Sequence, residues 1–387
     1  MTSNQNRSPA LILPPERELI DPSRRSFLGS TLAAGTVGAL AGGWSPASSA
    51  AQASTRIVAK LTGPNSWNDK WALVGTDLGV MWDDMRGNVL FAFGDTANTI
   101  NPNGGPGNFQ AKNALVRSRA TFEDMRNGII FDSGVRDQWG NVRTIFEPQY
   151  PQWSCIPTSG FAAGFGSTSR QIMSYMQVYD WNDDGRWSWK TDHSGLAWSD
   201  DDGEHWLWME GASWANNPDR ADVFQVMALA PDDDGWVYLG GTQNGRRNDG
   251  LHMARVRIDR MHDRTQYEYW DGREYRVGAP AVSIVPGPVG EPNLHKFGAL
   301  WLLTYINVFA NFFTGAIQLR TATRPEGPWS APLNLIGPAQ LPGMYGGFMH
   351  PWSRGNTLYT TVSQWNPYCV YLCEHILPFN MNTGPGL

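Results

Sequence analysis

The sequence is short of cysteine and has no tract of positive charge, and each shortage excludes something. Three cysteines in 387 residues cannot supply the disulfide framework on which small secreted domains depend. Cys369 and Cys373 stand four apart in a stretch that reads as extended, so their Cα atoms would lie roughly 13 Å apart, too far to bridge. A disulfide from Cys155 to either stays open beside three buried thiols. The formal charge is −6, and the 30 lysines and arginines are scattered, so no nucleic-acid or anionic-membrane partner is expected. The seven histidines are dispersed, without H-x-x-H or H-E-x-x-H spacing, which speaks against a zinc site. No G-x-S-x-G elbow, P-loop or dinucleotide fingerprint occurs, and the classes that depend on them drop out. No cofactor is expected; a structural cation stays open.

Long apolar runs are also missing, except near the start. Ser23-Arg24-Arg25-Ser26-Phe27-Leu28 has the form of a twin-arginine export signal, followed by an Ala/Gly-rich run to Gly43 and an Ala51-Gln52-Ala53 cleavage pattern. The run is too short and too rich in glycine for a membrane span, which needs about 20 apolar residues. The expected organisation is a signal over residues 1–53, a single domain over 54–378 and a disordered tail over 379–387. The mature protein is expected to be secreted or in the cell envelope, monomeric, and without stable membrane insertion.

What is abundant is tryptophan (19), glycine (42) and proline (26), with little helical patterning. That composition predicts an all-β fold. A unit of roughly 65 residues, holding about four strands bounded by turn residues, recurs some five times, as a five-bladed β-propeller requires. The octet Ser199-Asp-Asp201-Asp-Gly203-Glu-His-Trp206 fits an Asp-box, a turn between outer propeller strands. A pair of β-sandwiches is the structural rival. Most tryptophans are expected between sheets, and a few in a cleft, where their faces suit sugar rings.

Residues 71–98 carry the main chemical signal. Leu78, Val80 and Trp82 alternate into a turn at Asp83–Asn88, and Val89, Phe91 and Phe93 alternate out of it, which predicts a β-hairpin. A turn centred on Arg86 sets Asp77 opposite Asp95, with Cβ atoms about 5 Å apart. In a propeller both would stand at the mouth of the axis. Glycosidic cleavage needs such a pair, one carboxyl as acid and one carboxylate as base or nucleophile. The bland alternative is that both aspartates cap turns. Glu147, Asp222 and Glu291 could supply a third, tuning carboxylate. His350 enters an inner strand of the last unit, either buried or lining the channel.

Several stretches resemble the bacterial domain-of-unknown-function family 4185, grouped as glycoside hydrolase family 183. They include Gly75-Thr-Asp77-Leu-Gly79, Phe93-Gly-Asp95-Thr96, Asn113-Ala-Leu-Val-Arg-Ser118 and Ile156-Pro-Thr-Ser-Gly-Phe161. Further along stand Tyr175-Met176, Gly241-Thr-Gln-Asn-Gly-Arg246, Ala254-Arg255, Tyr267-Glu-Tyr-Trp-Asp-Gly272, Gly327-Pro-Trp329 and Ser363-Gln-Trp-Asn-Pro-Tyr368. The resemblance implies a five-bladed propeller acting as an endo-D-arabinofuranase on α-linked D-arabinan, such as that of mycobacterial arabinogalactan and lipoarabinomannan. It places the catalytic aspartates on Asp77 and Asp95. By extension from it, Asn98, Asn113, Tyr345, His350 and Trp365 are expected to face the substrate. Related five-bladed furanosidases favour inversion. The rival readings are a non-catalytic propeller that binds cell-wall glycan and a sialidase-like enzyme; for the latter no early arginine motif is present.

Overall fold

The computed structural model describes residues 53–383, except 150, 152–153, 166–167, 182–187, 220, 247 and 309–313. The expected signal, Ala53 apart, and the last four residues of the expected tail lie outside the described residues. The rest is all-β apart from short 3-10 turns.

Five antiparallel sheets form the blades of a propeller. Blade I holds Leu78–Asp83, Val89–Phe93, Ala114–Ser118 and Ser133–Gly134; blade II holds Ser154–Phe165, Thr168–Trp181, Trp189–Ser199 and Leu207–Ala215. Blade III begins with Val226–Pro231, Trp236–Thr242 and Leu251–Arg257, then adds Glu268–Trp270, Tyr275–Val277 and Ser283–Val285. Blade IV holds Gly290–Phe297, Leu300–Asn307, Ala316–Ala322 and Leu333–Ile336. Blade V consists of Met344–Met349, Thr357–Gln364 and Cys369–Ile376, and its outermost strand is Ser54–Lys60 from the other end of the sequence. Each blade's first strand touches the first strands of both neighbours, and blade V's touches blade I's, so these five line the axis.

The pattern of apolar residues explains this order. Innermost strands have other blades on both faces, so they read as unbroken buried runs: Leu78–Trp82, Val226–Ala230 and Met344–Met349. The wedges between blades are filled by larger side chains. Trp82 is fully buried between blades I and II, and its indole N–H donates to Gln171 Oε1 at 2.8 Å. Truncating a core aromatic of this size costs about 3–5 kcal/mol. The Asp-box joins the third and fourth strands of blade II. Ser199 Oγ donates to Asp201 Oδ1 at 2.8 Å, Asp201 Oδ1 accepts the His205 amide at 2.9 Å, and Trp206 Nε1 donates to the Gly203 carbonyl at 2.9 Å.

Two expectations need correcting. Residues 379–383 are not a loose tail: Phe379 packs against the core, Met381 is fully buried and its amide donates to the Gly355 carbonyl at 2.7 Å. The opening hairpin forms, but its register slips at the open end. Val80 to Asp83 pair as expected with Ala92 to Val89, whereas Leu78 pairs with Phe93 across a bulge. Leu78 and Gly79 both have positive φ, 66° and 76°, the signature of an extra residue that turns the strand. Asp77 therefore faces Gly94 rather than Asp95, with its carbonyl accepting the Gly94 amide at 3.1 Å. The three cysteines are buried free thiols.

Candidate active site

One face of the ring is where first strands begin and second strands end, because each blade is an antiparallel meander. Asp77 immediately precedes the first strand of blade I, Ser154 opens that of blade II, and Glu291 and Tyr345 are the second residues of those of blades IV and V. Asp95, Arg246 and Trp365 follow the second strands of blades I, III and V. Residues far apart in sequence thus meet at one end of the axis.

The two aspartates are held differently. Tyr345 Oη donates to Asp77 Oδ2 at 2.8 Å, while Asp77 Oδ1 is buried with no hydrogen-bond partner. Ser154 Oγ lies 3.0 Å from both oxygens of Asp95, and Trp181 Nε1 donates to that hydroxyl at 3.3 Å. Behind them Tyr368 Oη donates to the Asp95 carbonyl at 3.2 Å. Burial raises Asp95 to about 7, and the neighbouring Asp77 charge adds to it, against the Ser154 hydrogen bond and Lys112. Burial also raises Asp77, to about 6, but the Tyr345 and Tyr368 hydroxyls and the Arg246 charge oppose it. Two neighbouring carboxyls, both raised chiefly by burial, form a candidate acid/base pair.

A second layer supports Asp77. Arg246 Nε donates to Glu291 Oε2 at 3.1 Å and Nη2 bonds Oε1, and both side chains are at most 10 % exposed. The guanidinium lies 4.9 Å over the Trp189 ring and 5.3 Å over that of Tyr345, so it reaches Asp77 through the tyrosine that holds it. Leu78, Arg246, Glu291 and Tyr368 are half of the eight non-glycine residues with positive φ among the described residues. Backbone strain of this kind concentrates where a site must over-determine its geometry. Near the same face Gln110 Nε2, Gln177 Nε2 and Trp189 Nε1 are buried donors with no hydrogen-bond partner among the described residues.

The other expected substrate residues divide. Trp365 packs its indole on Gly104 and Gly105, where no side chain would fit, and its carbonyl accepts the Gly105 amide at 2.7 Å. It therefore pins the 98–109 loop that leaves from Asp95. Asn98, on that loop, is exposed. Two assignments are corrected. Asn113 is fully buried: its Nδ2 donates to the Phe146 and Cys155 carbonyls, and its Oδ1 accepts from the Ile145 and Phe146 amides. Its amide is saturated by backbone and has nothing left for a sugar. Asn113→Ala should cost about 3 kcal/mol, since it strands several buried backbone groups; the urea unfolding midpoint checks this. His350 is also buried, 1 % exposed, and follows the far end of blade V's innermost strand. Its Nδ1 accepts the Trp352 amide at 3.2 Å, and Trp352 Nε1 in turn donates to Asp83, at the end of blade I's first strand remote from Asp77. Burial lowers its pKa to about 3, so it is a neutral core residue.

Arg246 went unrecognised in the sequence, and Glu291 stood only among three possible tuning carboxylates. The available signal was positional: Arg246 follows a second strand as Asp95 does. Glu147 is exposed, and Asp222 accepts the Phe224 amide at 2.9 Å and Gln225 Nε2 at 2.9 Å; neither reaches the pair in any contact shown. Among the described residues no group of three or more His, Cys, Asp or Glu could hold a metal ion.

Comparison with known proteins gives the family and the fold. Notoamide biosynthesis cluster protein J' of Aspergillus versicolor is 31 % identical over 313 residues, 76 % of this chain and 82 % of that one. Protein J of Aspergillus sp. strain MF297-2 is 30 % identical over 345 residues, 83 % and 88 % of the two chains. Among solved structures, a presumed hydrolase of Bacteroides ovatus ATCC 8483 superposes with a TM-score of 0.51 at 15 % identity, over 83 % of this chain and 87 % of that one. An exo-β-1,3-galactanase of Phanerochaete chrysosporium gives 0.52 at 11 % identity over 83 % of this chain, which spans 63 % of the longer enzyme. The sequence matches the domain of unknown function DUF4185 over residues 62–374, nearly all of the propeller, and the chain belongs to that family.

Proposed function

We propose that the protein is an exported glycoside hydrolase that cleaves internal α-D-arabinofuranosidic linkages of D-arabinan, with Asp95 as acid and Asp77 as base. The observation that carries the reading is the pair itself, two adjacent buried carboxyls raised to about 7 and about 6. The Tyr345 hydroxyl and the Arg246 charge favour the ionised form of Asp77, whose charge in turn favours the protonated form of Asp95. Asp95 gives its proton to the glycosidic oxygen as the bond to the anomeric carbon breaks. Water attacks that carbon from the other side and gives a proton to Asp77, which Tyr345 keeps oriented. This is the inverting course. D-arabinan as the substrate, and export, rest on the resemblance and on the signal-like segment.

The direct test is incubation with purified mycobacterial D-arabinan followed by product sizing. A ladder of oligosaccharides supports the proposal; monomer alone makes the enzyme exo-acting, and binding without new reducing ends overturns hydrolysis. The pH dependence of kcat/KM should be a narrow bell, because that profile reports the free enzyme's acid and base. Its limbs should fall near 6 for Asp77 and near 7 for Asp95. Tyr345→Phe removes a hydrogen bond that favours ionised Asp77, so the acid limb should move upward and the bell narrow further. An unmoved acid limb would detach Tyr345 from Asp77's titration.

A further inference from the structure

A cavity of about 470 Å³ opens between blades III and IV, within the size range of small-molecule sites. It lies away from the aspartates. Asp232 and Lys296 on its wall stand beside the turns where the innermost strands of these blades end, and Asp77 stands where such strands begin. Its outer wall comes from the added part of blade III, the hairpin of Glu268–Trp270 and Tyr275–Val277. A meander of four strands closes blade IV without any such addition.

The wall combines rings with balanced charge. Trp270 and Tyr275 are partly exposed, with ring centroids 5.0 Å apart, and Tyr238 lies 6.0 Å from Tyr275 and 5.1 Å from Trp301. Arg255 is 4.4 Å over the Tyr275 ring and bonds Glu268 at 2.7 Å. Lys296 pairs with Asp232, and Arg324 with Glu326. Three lining carboxylates face four lining cations, so a full charge on a ligand would find little to neutralise it. Polar groups held in pairs beside aromatic faces instead match a neutral polyol, whose hydroxyls bond the ions while its C–H faces lie on rings.

Ala254-Arg255, Tyr267–Gly272 and Gly327-Pro-Trp329 stood out in the sequence and take no part at the aspartates. They meet here: Arg255 and Trp270 line the cavity, and Trp329 packs on the same aromatic cluster with its buried indole N–H unpartnered. We propose that this cavity is a second glycan-binding site, which holds a neutral oligosaccharide segment remote from the bond being cut. The choice of polysaccharide as ligand rests on the hydrolase reading; the site itself rests on the geometry.

Affinity electrophoresis in native gels containing D-arabinan tests it, with Asp95→Asn present to prevent cleavage. Trp270→Ala removes a platform. Ala299→Trp fills the cavity from an exposed turn and decides the matter where Trp270→Ala lowers the melting temperature. Each variant should weaken retardation by about tenfold, the usual effect of losing an aromatic anchor. In the wild-type background, each should leave kcat/KM on a short soluble arabino-oligosaccharide within about twofold. Retardation of Ala299→Trp equal to the parent's, or no retardation of the parent, overturns the site. Retardation that these variants abolish in a protein that cuts no glycan would keep the site and overturn the hydrolase. Cleavage by wild type with retardation unchanged in both variants would do the reverse.

Discussion

Asp95→Asn should lower oligosaccharide release from D-arabinan by at least about 10³-fold, and Asp77→Asn should do the same, since each removes one proton-transfer partner. Full activity in either variant would overturn the assignment. Neither loss should come from unfolding, and the pH dependence of stability shows why. Both carboxyls are raised in the folded protein, to about 6 and about 7, chiefly by burial. Between the ordinary carboxylate pKa near 4 and those values, the native state keeps protons that the unfolded chain has given up. Stability is therefore greatest below that window and falls as pH rises through it. Asparagine carries no charge to bury. Both variants should melt above wild type at pH 8, with the gain gone at pH 4; thermal melts at the two pH values check it. A site that costs stability in its working ionisation state is what catalytic preorganisation predicts.

Gly94→Ala should reduce kcat by about 10²-fold, the scale expected from a misplacement of about 1 Å in a catalytic group. A Cβ on Gly94 would collide with Asp77 Oδ1. The φ of Gly94 is not among the positive values, so alanine brings no backbone strain and the damage falls on the carboxylate. The melting temperature should change little, and KM less than kcat. Gly337→Ala is the matched control, because nothing lies within 4 Å of its Cβ position and its φ is not positive. Equal kinetics for the two alanine variants would show that Asp77 can move without penalty.

The legible part of this chain was the part written in alternation and turns. Five repeating units, the Asp-box and the hairpin at residues 78–93 follow from local pattern, and the structure has them. The bulge at Leu78 and Gly79 was not legible. A slip of one residue leaves the apolar pattern intact up to Val80, and only the backbone dihedrals reveal it. The aspartates were marked by pattern and by resemblance together. Asn113 and His350 were misread because residue type and proximity in sequence do not show which hydrogen bonds a buried group has already made. The Arg246–Glu291 pair joins blade III to blade IV across 45 positions, and no local periodicity can encode such a contact.

The strand Ser54–Lys60 pairs with Cys369–Ile376, so the ring shuts between segments more than 300 positions apart, counted on the sequence. Contacts of such separation carry a large loop-closure cost and tend to form late. Asp77 belongs to blade I, whereas the Tyr345 hydroxyl that holds it and the Tyr368 hydroxyl behind the pair come from blade V. The blade V–blade I junction that closure completes thus runs through the candidate site. A nascent chain with four finished blades has both aspartates but neither of the blade V hydroxyls that hold them, so the site is assembled only when the ring shuts.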